Sequence, residues 1–108
     1  MKPEKPNAVK LEQFVFDAIP MARNPLVYET DRLEEFSPVK NAEGPDSPAA
    51  CRRDQIKRAG KWLSETGVKV AEEAVIEISP LFAERAEQLK GKKLPKEVKS
   101  GEKSYFGD

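Results

Sequence analysis

A chain of 108 residues is long enough for one small domain with a modest core. Nineteen basic residues balance nineteen acidic ones, so no net field draws the protein to nucleic acid or to an anionic membrane. Histidine is absent and Cys51 stands alone, which excludes His-based triads, His metal sites and an internal disulfide.

Any chemistry therefore falls to Lys, Arg, Asp, Glu or Tyr. Hydrophobic and charged residues make up 38% and 35% of the chain, a polar composition that still permits a fold. No apolar run approaches the ~20 residues that span a bilayer, and no apolar leader follows Met1. With a single thiol suited to a reducing compartment, the expected location is cytoplasmic.

Lys2 to Pro6 carries two prolines and reads as an extended lead-in. Asn7 suits an N-cap. Leu11, Phe14, Val15, Ala18, Ile19 and Ala22 then follow the spacing of a helix with one buried stripe, which predicts a helix over 8–19 that ends or kinks near Pro20. Phe16 falls off this stripe, close to Val9, and either packs on a second neighbour or lines a pocket.

Asn24-Pro25 signals a turn, and Leu26 to Thr30 has the composition of a strand. Asp31 to Phe36 suits a short helical turn. In Glu34-Glu35-Phe36-Ser37-Pro38-Val39-Lys40-Asn41-Ala42, Pro38 fixes its own φ and biases Ser37 toward extended geometry. Lys40 is thereby held on a stiff loop, where it is either one more solvated lysine or a point charge presented to an anion.

Asn41 to Pro48 is loop. Ser47-Pro48 opens the longest helix, with serine as N-cap and proline at the first helical position. This helix runs to about Glu65, carries Ile56, Ala59 and Leu63 on one face with Trp62 beside it, and has Gly67 as its C′ residue. Arg52, Arg53, Lys57, Arg58 and Lys61 make its outer side basic, which reads as a solvated face because no aromatics interleave.

Val68 to Val70 and Ala74 to Ile78 read as strands. Ser79-Pro80 predicts a third helix, with Leu81, Phe82, Ala86 and Leu89 at helical spacing up to Gly91. Lysines among glycines and a proline make 92–108 a mobile tail. No internal repeat of convincing period is present. The expectation is a mixed α and β fold of three helices and two to three short strands over 1–91.

Two blocks carry a resemblance: Lys2 to Asp17, with its Phe14-Val15-Phe16-Asp17 core, and Glu35-Phe36-Ser37-Pro38-Val39-Lys40-Asn41-Ala42. Together with Asp46-Ser47-Pro48-Ala49-Ala50-Cys51-Arg52 and Glu77-Ile78-Ser79-Pro80-Leu81, they resemble the eukaryotic-type UDP-N-acetylglucosamine pyrophosphorylases. These are members of the wider UDP-sugar pyrophosphorylase (uridylyltransferase) family, and the likeness is spread over residues 2 to about 82.

The resemblance implies the C-terminal segment of a doubly wound α/β nucleotidyltransferase. Such enzymes join UTP to an N-acetylhexosamine 1-phosphate with Mg²⁺ and release pyrophosphate. It also implies that Lys40 contacts phosphate and that Phe14 and Phe16 lie near the N-acetyl group of the sugar.

The family's glycine-rich nucleotide loop has no counterpart here. Gly44, Gly60, Gly67, Gly91, Gly101 and Gly107 form no GxG cluster. By the resemblance, the N-terminal catalytic portion, with its UTP site and Mg²⁺, lies outside this segment, and the 108 residues alone are expected to be inactive. The alternative expectation is a small non-catalytic α+β interaction module that docks through the 48–65 helix.

Overall fold

In a computed structural model, which describes Lys5 and residues 7–107, helix α2 (Pro48–Glu65) is the element against which the core is built. Both of its ends are set by side-chain chemistry. The Ser47 hydroxyl accepts the Ala50 N–H at 3.2 Å and donates to the Gly44 carbonyl at 2.7 Å. Pro48 at the first turn gives up an N–H that has no helical partner there. At the other end Gly67, at φ +89°, turns the chain into the left-handed region. Gly67 N–H then bonds the Ser64 carbonyl and Val68 N–H the Leu63 carbonyl, the paired bonds of a Schellman motif.

Beyond the helix the chain makes β1 (Lys69–Val70) and β2 (Val75–Ile78), then a 3-10 turn at Ala86–Leu89, then β3 (Glu97–Val98) and β4 (Lys103–Phe106). β1 pairs parallel with β3 and β2 parallel with β4 at one constant offset, Lys69 opposite Glu97 and Val75 opposite Lys103. Two bent arms, β1–turn–β2 and β3–turn–β4, thus lie one on the other. Their turns are tied as well: the Gly101 N–H reaches the Glu73 carbonyl and the Ser100 hydroxyl reaches the Glu73 carboxylate.

The core consists of Ala59, Trp62 and Leu63 from α2, packed on Val68, Ile76, Leu89 and Val98. Each large apolar side chain removed from water here contributes roughly 1.5–3 kcal/mol. The mixed α and β character with short strands, and the bounds of α2, agree with the sequence reading.

Other elements differ. No α-helix forms over 8–19. Residues 7–14 carry no regular structure, and a 3-10 helix covers Val15–Met21. Among the described residues the predicted stripe has nothing to pack on, with Leu11 and Val15 more than 90% exposed, and an amphipathic helix without a tertiary partner is marginal. Asp17 also takes the Phe14 N–H on its carboxylate at 2.9 Å. Residues 26–30 have strand composition but no neighbouring strand, and they stay irregular and exposed.

The short helix over 31–36 is present as α1 (Arg32–Glu35), capped by the Asp31 carboxylate on the Leu33 N–H at 2.9 Å. The third helix makes one turn at Ser79 and stops. The Gln88 side chain captures the N–H groups of both Glu84 and Arg85, which a continuing helix would have bonded to its own carbonyls.

The stretch 92–108 was expected as an unstructured tail. In the structure it supplies β3 and β4, and Val98 is fully buried. The lead-in predicted over Lys2 to Pro6 lies outside the described residues apart from Lys5. Among the described residues no helix is long and apolar enough to cross a membrane.

The radius of gyration is 20.0 Å, against about 13 Å for a compact chain of this length. Residues 7–31 form an arm with none of its side chains buried, which is consistent with that excess.

Candidate functional site

Residues 34–41 form a strap that runs antiparallel along α2. At one end the Glu34 carboxylate accepts the Trp62 indole N–H at 2.7 Å and is ion-paired with Lys61. The Glu34 carbonyl accepts the Arg58 guanidinium at 2.9 Å, and the same guanidinium lies 5.0 Å from the centre of the Trp62 ring. Midway, the Ser37 hydroxyl donates to the Asp54 carboxylate at 2.7 Å. At the other end the Lys40 and Asn41 N–H groups both bond the Asp46 carbonyl, at 2.7 and 3.0 Å, and the Asn41 amide donates to the Pro45 carbonyl at 2.7 Å.

Asp46 itself sits at φ +56°, a region that Asp and Asn enter more readily than most residues. Its carbonyl is thereby turned toward the strap, two residues before α2 begins. Lys40 thus stands on backbone fixed from both sides. Its side chain is exposed and, among the described residues, forms no ion pair.

Phe14 and Phe16 stack face to face, ring centres 5.0 Å apart and planes 5° from parallel. On a helix these positions would diverge by about 200°. Phe14 is extended instead, at φ −113° and ψ 148°, and extended geometry returns residues i and i+2 to the same side. Both rings remain at least half exposed. The structure brings the two phenylalanines together on the arm and holds Lys40 on the strap. Neither ring is in cation–π contact with Lys40 among the described residues.

Sequence reasoning missed Glu34, Arg58 and Asp46 as parts of this arrangement. Arg58 was assigned to a solvated face, yet it bonds the strap and covers Trp62. The available signal was Glu34, an acidic residue opening the strap, set against a basic helix that holds the only tryptophan. A further cavity of about 670 Å³ lies between α2 and β2, with Ile56, Ala59, Trp62 and Ile76 among its apolar walls and Arg52 and Lys103 among its charged ones.

Magnesium requires several oxygen donors converging on one point. No three carboxylate or cysteine side chains converge in this way among the described residues, so no step is assigned to a metal held by this chain.

The arrangement is thus an exposed cation on a braced loop with an aromatic pair on a separate arm. The chain is 40% identical over 92 residues to a probable UDP-N-acetylglucosamine pyrophosphorylase of Caenorhabditis elegans, an alignment covering 82% of this chain and 19% of that protein.

It is 38% identical over 99 residues to the UDP-N-acetylglucosamine pyrophosphorylase of Saccharomyces cerevisiae, covering 84% and 20%. With the human UDP-N-acetylhexosamine pyrophosphorylase-like protein 1 the identity is 35%, covering 82% and 22%. No protein-family model matches the sequence. The chain is homologous to a portion of the UDP-N-acetylglucosamine pyrophosphorylase family, and it spans about a fifth of the length of the curated relatives it matches, as a C-terminal portion would.

Proposed function

We propose that this chain is the C-terminal part of a uridylyltransferase site and supplies its sugar-phosphate side. In the complete assembly an oxygen of an N-acetylhexosamine 1-phosphate attacks the α-phosphorus of UTP. The anhydride bond to the β-phosphate breaks, and pyrophosphate leaves with that bond's electrons. The remaining portion of the enzyme holds the nucleotide and Mg²⁺.

On this chain Lys40 meets a phosphate oxygen, and Phe14 and Phe16 form the wall beside the N-acetyl group. The observation that carries the reading is the exposed, unpaired Lys40 ammonium on a loop braced at Glu34, Ser37 and Asp46. A pre-positioned cation spreads the charge that builds up during phosphoryl transfer without reorganising at the moment of reaction. Alone the 108 residues give no turnover, because this chain offers one phosphate-facing lysine and no nucleotide loop.

The exposed apolar arm supports the same reading. Val9, Leu11, Met21, Leu26, Val27 and Tyr28 are each more than 80% exposed. Such a surface fits burial against the N-terminal catalytic portion that makes up most of the relatives.

Titration of the ¹⁵N-labelled chain with UDP-N-acetylglucosamine tests the assignment. Shifts at Phe16 and Lys40 are expected, and a spectrum unchanged at both positions overturns it. In the complete enzyme Lys40→Ala lowers turnover about 10²–10³-fold with the fold intact.

The exposed arm also favours a second reading, a non-catalytic module that docks through its apolar surfaces. A silent titration together with a concentration-dependent oligomer, seen by sedimentation, supports that alternative.

A further inference from the structure

We infer that Glu34 is a positioning residue for Lys40 and acts through the length of the strap between them. This rests on the reading of Lys40 as the phosphate-contacting lysine. The argument is one of reach.

Glu34 and Glu35 close helix α1 and the chain leaves helical geometry at Phe36, so from Glu34 to Lys40 it covers less than the ~21 Å of a fully extended run. Helix α2 rises about 21 Å from Pro48 to Trp62. The strap is fastened at both ends of that stretch, at Trp62 and Lys61 by the Glu34 carboxylate and just before Pro48 by the Asp46 carbonyl. Pro38 keeps its middle from coiling, so there is little slack to absorb. Release of the Glu34 end loosens the Lys40 end even though the two residues do not touch.

The Ser37–Asp54 bond is a single intermediate pin. The Glu34 end carries three donors from α2, Lys61 and Trp62 on the carboxylate and Arg58 on the backbone carbonyl. The heavier fastening is therefore the one far from the lysine.

The test uses the whole 108-residue chain in three forms: wild type, Glu34→Ala and Glu34→Gln. Amide hydrogen exchange is read at Lys40 and Asn41, whose N–H groups bond Asp46, and at Leu63 and Val98 as core references. In Glu34→Ala, exchange at Lys40 and Asn41 rises about tenfold or more while the core amides keep their rates. Glu34→Gln retains an oxygen for the Trp62 indole and gives an intermediate rate.

Unchanged exchange at Lys40 and Asn41 in Glu34→Ala overturns the inference. So does an equal rise at Leu63 and Val98, which marks a purely structural role. A parallel titration with N-acetylglucosamine 1-phosphate separates the two readings. No response at wild-type Lys40 refutes the phosphate assignment alone, and a response identical in wild type and Glu34→Ala refutes the positioning role alone.

Discussion

Val98 lies opposite Val70 in a parallel strand pair and is fully sequestered from solvent, in the buried cluster that also holds Leu63 of α2 and Leu89. The lysine-rich end of the chain is in this way part of the core. The bonds from Lys69 N–H to the Lys96 carbonyl and from Ala71 N–H to the Val98 carbonyl close β1 against it. A chain ending after Lys96 loses β3 and β4 together and leaves β1 and β2 unpaired. The expected result is loss of the cooperative urea transition and of the α2 circular-dichroism signal. Val98→Asp places an unpaired charge in the same site and has the same outcome. A cooperative transition retained in both variants would contradict this account of the fold.

Two glycines, one inside α2 and one just past its end, respond to alanine with opposite sign. A Cβ on Gly60 would sit 3.6 Å from a Val70 methyl and 4.0 Å from the Ile76 Cδ1, ordinary contact distances. Gly60→Ala therefore gains helix propensity without a clash and stabilises the chain by up to ~1 kcal/mol. Gly67 has open space around it but a φ of +89°, so Gly67→Ala costs about 1–2 kcal/mol in backbone strain. Denaturant midpoints measured at constant m-value decide both signs.

Helix α2 was legible because its signals are local. Serine and proline mark its start, a glycine marks its end, and the apolar spacing between them agrees with both. The loop that braces Lys40 was legible for the same reason, through Pro38 and the turn residues from Asn41 to Pro48. What escaped was set by distant partners. β3 and β4 hold only three large apolar residues, Val98, Tyr105 and Phe106, and find their strands across a long parallel crossover that no local pattern announces.

The 8–19 region erred in the other direction. Its periodicity is real, but a stripe stabilises a helix only where something covers it, and none of the described residues does. Phe14 and Phe16 became an adjacent pair because the backbone there is extended, and the helical reading had set them apart.

That pairing leads to a stability prediction. Were Phe14 a core residue, truncation to alanine would cost about 3–5 kcal/mol. In the structure both rings lie on the arm, clear of the buried cluster. Phe14→Ala and Phe16→Ala are each expected to shift the unfolding free energy of the body by less than ~0.5 kcal/mol, while each weakens the response to UDP-N-acetylglucosamine in the NMR titration. A loss above 2 kcal/mol in either variant would place that ring in the core and remove it from the proposed pocket wall.

The final prediction concerns pH and the fastening at Glu34. Burial pushes the Glu34 carboxyl upward, but hydrogen bonds from Lys61 and Trp62, with the charges of Lys61 and Arg58, outweigh it and hold the group below its ordinary 4.5. Lys61 moves the opposite way. Its hydrogen bond to Glu34, opposed by partial burial and aided by the charges of Glu34, Glu65 and Asp31, raises it above 10.5.

A depressed carboxyl binds its proton less readily when docked than when released. Its contribution to the fastening is therefore complete above 4.5 and is lost as pH falls through the lowered folded value. The Lys61 contribution is complete below 10.5 and is lost only as pH rises through the raised one. Between those limits the strap stays pinned. The Trp62 indole N–H resonance reports the contact directly, and its acid titration is expected to have a midpoint below 4.5 that disappears in Glu34→Gln. A midpoint above 4.5 would mean that desolvation outweighs the two donors and the neighbouring positive charges, and the fastening would then weaken in mild acid while the Lys40 loop was still folded.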